Sequence, residues 1–98
     1  MRYLEAFYTP AFRRDVKKLV KKHYDKQSLV EVIDLILEGT AEARKTLIQR
    51  HNLHTLSGSW KGSKECHVCN AGNWLLVWRE HEGIAYLQRT GKHDEIFG

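Results

Sequence analysis

Four histidines lie beyond Asn52: His54, His67, His81 and His93. The last follows Arg89 in the closing stretch "RTGKHDEIFG". Imidazoles together with a guanidinium suit the cleavage of RNA. The ribose 2′-hydroxyl is a nucleophile already placed beside the scissile phosphate. It needs a base to take its proton, cationic donors to steady the phosphorane-like transition state, and an acid for the departing 5′-oxygen. Histidine can fill either proton role because its ordinary pKa, about 6.5, lies near operating pH. Each well-placed acid or base is typically worth about 10²–10⁴ in rate. Arg89 suits the phosphate because a guanidinium grips two oxygens in a fork. Such a reaction needs no metal and leaves a 2′,3′-cyclic phosphate and a 5′-hydroxyl. His54, in a loop by its sequence, His67, in a strand, and His93, in a turn, are the informative three. Taken singly, a histidine on a basic domain is more often a surface or hydrogen-bonded structural residue. His23 reads as a helix-end residue that complements the helix dipole. His51 and His81 read as ordinary exposed residues.

Aromatic and basic residues near these histidines have two readings. Phe97 and Trp74 can be core, or can stack on a base at about 1–3 kcal/mol per base. Trp60, in "GSWKG" with Lys61 and the nearby Lys64, is either a base-and-phosphate surface or an anchor at a strand entry. Cys66 and Cys69 form a C-x2-C pair, half of a zinc knuckle. Structural zinc takes four protein ligands, and no second pair is present. If residues 65–69 are extended, the two thiols point to opposite faces. Reduced, partly buried thiols and no metal are the expectation.

The elements that must position these residues follow from the rest of the chain. Ninety-eight residues with 42% hydrophobic and 29% charged content suit one folded domain, residues 1–98. No apolar run approaches the roughly 20 residues of a membrane span. The opening "MRYLEAFYTP" lacks a signal-peptide core, and two cysteines are too few for a disulfide framework. A cytoplasmic location, with no membrane partner, is expected. The net charge is +4, concentrated in residues 1–26 by Arg2, Arg13, Arg14, Lys17, Lys18, Lys21, Lys22 and Lys26. That basic face would attract nucleic acid or an acidic protein, or would simply be solvated.

Residues 2–8 read as a strand. Thr9 and Pro10 are a helix cap and first position. Phe12, Val16, Leu19 and Val20 then keep helical spacing, with the cations on the other side. A second helix starts at Asp25 or Ser28, where Ser28 and Glu31 have capping-box spacing. It carries an apolar face over Leu29, Val30, Val32, Ile33, Ile36 and Leu37, and stops at Gly39. The short link predicts an antiparallel helical hairpin. Residues 40–50 could hold a short third helix, and "HNLHTLSGS" reads as loop. The period then becomes two: "KECHVC", "NWLLVWRE" and "IAYLQRT" are strands, the last two joined by a turn at His81–Gly83. "EIF" is a candidate final edge strand. The fold class is α+β: an N-terminal strand, a two-helix hairpin, then an antiparallel meander, with helices on one sheet face and the other face available for a site.

These residues resemble a family. "HTLSGSWKGSKECHV", "NWLLVW" and "RTGKHDEIFG" are similar to the YafQ branch of the RelE superfamily, the toxins of bacterial type II toxin–antitoxin pairs. The likeness is strongest over residues 54–98. It implies a compact RelE-like sheet and a ribosome-dependent, metal-independent endoribonuclease that cuts mRNA. By motif match it implies His54, His67 and His93 at the family's histidine positions, with His93 as general acid. It implies Arg89 at the phosphate and Phe97 orienting the mRNA, with Trp74 beside them. Lys61 and Lys64 join the substrate surface. Asn73 stands where the family commonly has an acid, so that position can hydrogen-bond but not exchange a proton; Asp94 is a possible substitute. The implied partners are an acidic antitoxin of the DinJ or RelB kind, the ribosome and mRNA, and operator DNA reached through the antitoxin. No cofactor is implied. Two alternatives remain open at this point. One is a ParE-type toxin that inhibits gyrase without catalysis, which has no need of the imidazoles. The other is a small zinc- or nucleic-acid-binding module built on the C-x2-C.

Overall fold

The computed structural model describes residues 3–69 and 73–98. Residues 70–72 lie outside them. The elements are β1 (Glu5–Tyr8), α1 (Pro10–Lys21), α2 (Lys26–Glu38), α3 (Ala41–His51), β2 (His54–Thr55), a 3-10 turn (Gly58–Trp60), β3 (Lys64–His67), β4 (Leu75–His81), β5 (Ile84–Gly91) and α4 (His93–Phe97). The strands form one sheet in the order β1-β5-β4-β3-β2. β1 runs parallel to β5 and the other pairs are antiparallel. This is the expected α+β architecture, with β1 added to the far edge of the meander.

Local chemistry explains the helix boundaries. Thr9 Oγ1 accepts the Phe12 N–H at 3.2 Å and donates to the Leu87 carbonyl at 2.8 Å. The cap of α1 is thereby also its anchor to β5. Asp25, not Ser28, caps α2, accepting the Gln27 N–H at 3.1 Å. Ser28 instead donates to Asp25, so the Ser28–Glu31 capping box is not used. Gly39 ends α2 at φ 67°, and Thr40 at once caps α3 through the Ala43 N–H. α3 is therefore a full eleven-residue helix. α1 packs on β5, and α2 packs on α3. Between α1 and α2 runs a groove lined by Phe12, Val16, Leu29 and Ile33. Val20 and Val30, read as core positions, are exposed.

The sheet is covered on both sides, which explains the unbroken apolar run Trp74–Trp78. On one side α1, α2 and α3 close over Leu76, Trp78, Ala85 and Leu87. On the other, Leu75 and Val77 pack with Ile96, Leu56, Trp60 and Phe97. The segment "EIF" is the end of helix α4, not an edge strand. Gly91, at φ 146°, turns the chain off β5. The Lys92 N–H then donates to the Glu95 carboxylate at 2.9 Å and the Lys92 carbonyl accepts from Glu95 and Ile96 N–H, closing a helical turn. Not every helix is on one face: α4 supplies Ile96 and Phe97 to the side opposite α1–α3.

Candidate active site

Strand register gathers the expected residues. His67 lies opposite Leu75, Glu65 opposite Val77, and His54 opposite Glu65. Arg89 also lies opposite Val77. Directly opposed residues share a face. His54, Glu65, His67 and Arg89 therefore leave the sheet on the side of Leu75 and Val77, where α4 packs. His93 stands on α4, which packs on this side, its ring centroid 5.0 Å from that of Phe97. Phe97 in turn meets Trp60 edge-on at 5.4 Å. The row His93–Phe97–Trp60 thus runs from an exposed imidazole into the small apolar cluster.

His54 sits on the short strand β2, not in a loop. Its Nε2 lies 3.1 Å from Glu65 Oε1 and its Nδ1 lies 2.9 Å from the Asn52 carbonyl oxygen. Both ring nitrogens face acceptors, and the contacts fix the ring plane. Glu65 is buried in the site floor. Sequence reasoning missed it, although Glu65 and His67 are two apart in a strand and so share a face. His51, expected to be an ordinary exposed residue, is half-buried and its Nδ1 lies 2.8 Å from the His67 carbonyl oxygen. It ties the end of α3 to the end of β3.

Arg89 does not stand free. Its Nε donates to Asp15 Oδ2 at 2.7 Å and its Nη2 donates to Asp15 Oδ1 at 3.1 Å. Nη2 also donates to the Glu95 carbonyl oxygen at 3.2 Å. The bond to Asp15 raises the guanidinium pKa further, so its charge is permanent. Asp15 is 8% exposed and also accepts the Thr90 N–H at 3.1 Å. Nothing local in the sequence signals this pairing. Glu95 is held ionised below the usual carboxylate range, first by the Lys92 N–H and then by Lys22, whose Nζ lies 3.5 Å away.

Other expected members take different places. Trp74 is buried in the core beneath the helices, not beside a substrate; its Nε1 donates to Thr90 Oγ1 at 2.9 Å, and Tyr24 meets it edge-on at 5.0 Å. Lys64 lies opposite Trp78 on the helix side and pairs with Glu80 at 3.1 Å, which removes it from the histidine face. Lys61 is exposed beside Trp60, and Asn73 is exposed two residues ahead of β4. Asp94 Oδ1 is 3.9 Å from His93 Nδ1. Cys66 and Cys69 both pack against the helix-side core, because β3 ends at His67 and the chain bends before Cys69. Burial, and then the nearby Glu65 charge, push the Cys66 thiol pKa up. Among the described residues, no group of three or more His, Cys, Asp or Glu side chains is arranged to hold a metal ion.

Fold and site together define a small, basic α+β domain whose second sheet face carries His54, the buried Glu65, His67 and an aromatic row, with the Arg89 guanidinium held between α1 and α4 by Asp15 and the Glu95 carbonyl. Residues 4–98 match the model of the family described as YafQ, the bacterial toxin of a type II toxin–antitoxin system, and the chain belongs to that family. It is 31% identical over 91 residues to the mRNA interferase toxin YafQ of Escherichia coli, covering 93% of this chain and 92% of that one. A crystal structure of YafQ from E. coli superposes with a TM-score of 0.84 at 28% identity, covering 97% of this chain and 99% of the other. YafQ in the E. coli DinJ–YafQ toxin–antitoxin complex superposes at 0.82, with 29% identity over 98% and 99% of the two chains.

Proposed function

We propose that this chain is the toxin of a toxin–antitoxin pair and an endoribonuclease that cuts mRNA on the ribosome, with the ribose 2′-hydroxyl as nucleophile. The observation that supports this best is the register that brings His54, Glu65, His67 and Arg89 to one face, under the His93–Phe97 pair of α4. His67 takes the 2′-hydroxyl proton, and His54, held by Glu65 and the Asn52 carbonyl, steadies the developing charge. The 2′-oxygen then attacks phosphorus, the bond to the 5′-oxygen breaks, and His93 protonates the leaving oxygen. Arg89 steadies the charge on the phosphoryl oxygens. Phe97 and Trp60 offer faces and edges on which a base can stack, and Lys61 lies close by for a backbone phosphate. Trp74 and Thr90 act from the core, by holding the ends of β4 and β5 in register.

The E. coli relative forms a complex with DinJ. An acidic antitoxin is the corresponding partner here, and operator DNA would be reached through that complex. Inducing the chain in cells and mapping mRNA ends tests the reading. New 2′,3′-cyclic phosphate and 5′-hydroxyl ends within coding sequence are expected. Growth arrest with intact transcripts would favour a non-catalytic toxin of the gyrase-inhibiting type and would end this proposal.

A further inference from the structure

Helix α1 buries three residues against the sheet: Phe12, Asp15 and Leu19. Two are ordinary core residues at helical spacing. The third is a carboxylate, a group rarely buried unless paired. Its partners are specific. Asp15 takes two bonds from Arg89 and one from the backbone of Thr90, so all three fix consecutive residues at the end of β5. Arg89 is in turn bonded to the Glu95 carbonyl in α4, the helix that bears His93 and Phe97. Three of the five guanidinium N–H bonds are used in this way, on Nε and Nη2, which among the described residues leaves Nη1 as the donor edge for a phosphate. The cleft around the pair, about 180 Å³, is also lined by Lys18 and Lys22.

We infer that Asp15 is a positioning residue: it holds the Arg89 guanidinium in one orientation, with Nη1 presented to the scissile phosphodiester, before RNA arrives. The inference rests on the RNA-cleaving reading above. An unrestrained arginine must lose rotamer freedom when it meets the developing charge. One already clamped has met that cost in folding, so its help comes in the transition state and appears in kcat more than in KM. The opposing view is that Asp15 merely competes with the phosphate for the guanidinium, in which case its removal would strengthen binding.

The test is a cycle of Asp15→Asn, Arg89→Lys and the double variant, assayed for cleavage of a defined mRNA on programmed ribosomes, with melting temperatures in parallel. Asp15→Asn is expected to lower kcat at least about tenfold with KM within about twofold. The double variant is expected to be no worse than the poorer single variant, because both changes remove one function. Losses that multiply would mean that Asp15 acts through something other than Arg89, and unchanged or faster cleavage by Asp15→Asn would mean competition; either overturns the inference. Should Asp15→Asn fail to fold, Asp15→Glu keeps the charge but displaces it by a methylene. A lowered kcat in folded protein then supports positioning, and a wild-type kcat refutes it. Absence of cleavage by the wild-type protein would instead remove the RNA-cleaving reading, and this inference with it.

Discussion

At the scale of single residues, burial separates groups that act from groups that support. The His93 side chain is 71% exposed, so its removal leaves little packing behind. His93→Ala should change stability by no more than about 0.5 kcal/mol, the usual range for such surface sites. As the proposed general acid, it should nevertheless cost about 10²–10⁴ in cleavage rate. Cleavage assays beside thermal melts check this. Full activity in the alanine variant would remove His93 from the mechanism. The cysteines give a second contrast. Cys66 is fully buried, and its thiolate is disfavoured by burial and by Glu65. Cys69 is partly exposed. Because the thiolate is the reactive form, a disulfide reagent should titrate one thiol per native chain, Cys69, and the second only after denaturation. Two fast thiols in native protein would contradict the packing of β3.

At the scale of elements, α4 matters most because it carries His93 and Phe97 on a single turn. Gly91 sets its direction at φ 146°, and a Cβ there would lie 3.1 Å from Glu95 Oε1, the oxygen that caps the Lys92 N–H. Gly91→Ala should therefore cost about 1–3 kcal/mol in strain and also move the Glu95 carboxylate that caps the Lys92 N–H, loosening the first turn of α4. A displacement of about 1 Å at a catalytic group can cost about 10²-fold. Gly83 is the control: its φ of 80° also disfavours alanine, but nothing lies within 4 Å of the added atom. Gly83→Ala should lower the melting temperature by roughly 4–8 °C per kcal/mol, as Gly91→Ala does, while cleavage by the folded protein is kept. Equal activity in the two variants would show that α4 is not held by this turn. The elements also differ in how far the sequence reveals them. α1 is readable because Thr9, Pro10 and a 3.6-residue stripe agree, and β4 and β5 because apolar runs flank a turn. α4 is not, since three residues of "EIF" carry no period that separates strand from helix. The site is half readable for the same reason. His67 and Arg89 announce themselves by type. Glu65 beside His54 requires the β2–β3 register, and Asp15 beside Arg89 spans 74 residues of chain, so no local pattern reports it.

At the scale of the whole molecule, the +4 charge is organised by α1. One side of that helix buries Asp15 for Arg89, while Arg13, Arg14, Lys17, Lys18 and Lys21 face solvent. The helix thus joins two separate jobs, holding the site's guanidinium and presenting a cationic surface. Lysines in solvent act through long-range attraction and counterion release, which salt screens, and they do not touch the reacting atoms. Replacing Lys17 and Lys21 with glutamine should therefore raise KM for programmed ribosomes, leave kcat unchanged and flatten the salt dependence. The change in the log–log slope should be about 0.7–0.9 for each cation that neutralises a phosphate. The same variant titrated with an acidic antitoxin assigns the surface. A KM effect with little loss of antitoxin affinity marks it as an RNA face. The reverse result would make α1 the seat of inhibition, with capture of the ribosome left to Lys61 and the aromatic row.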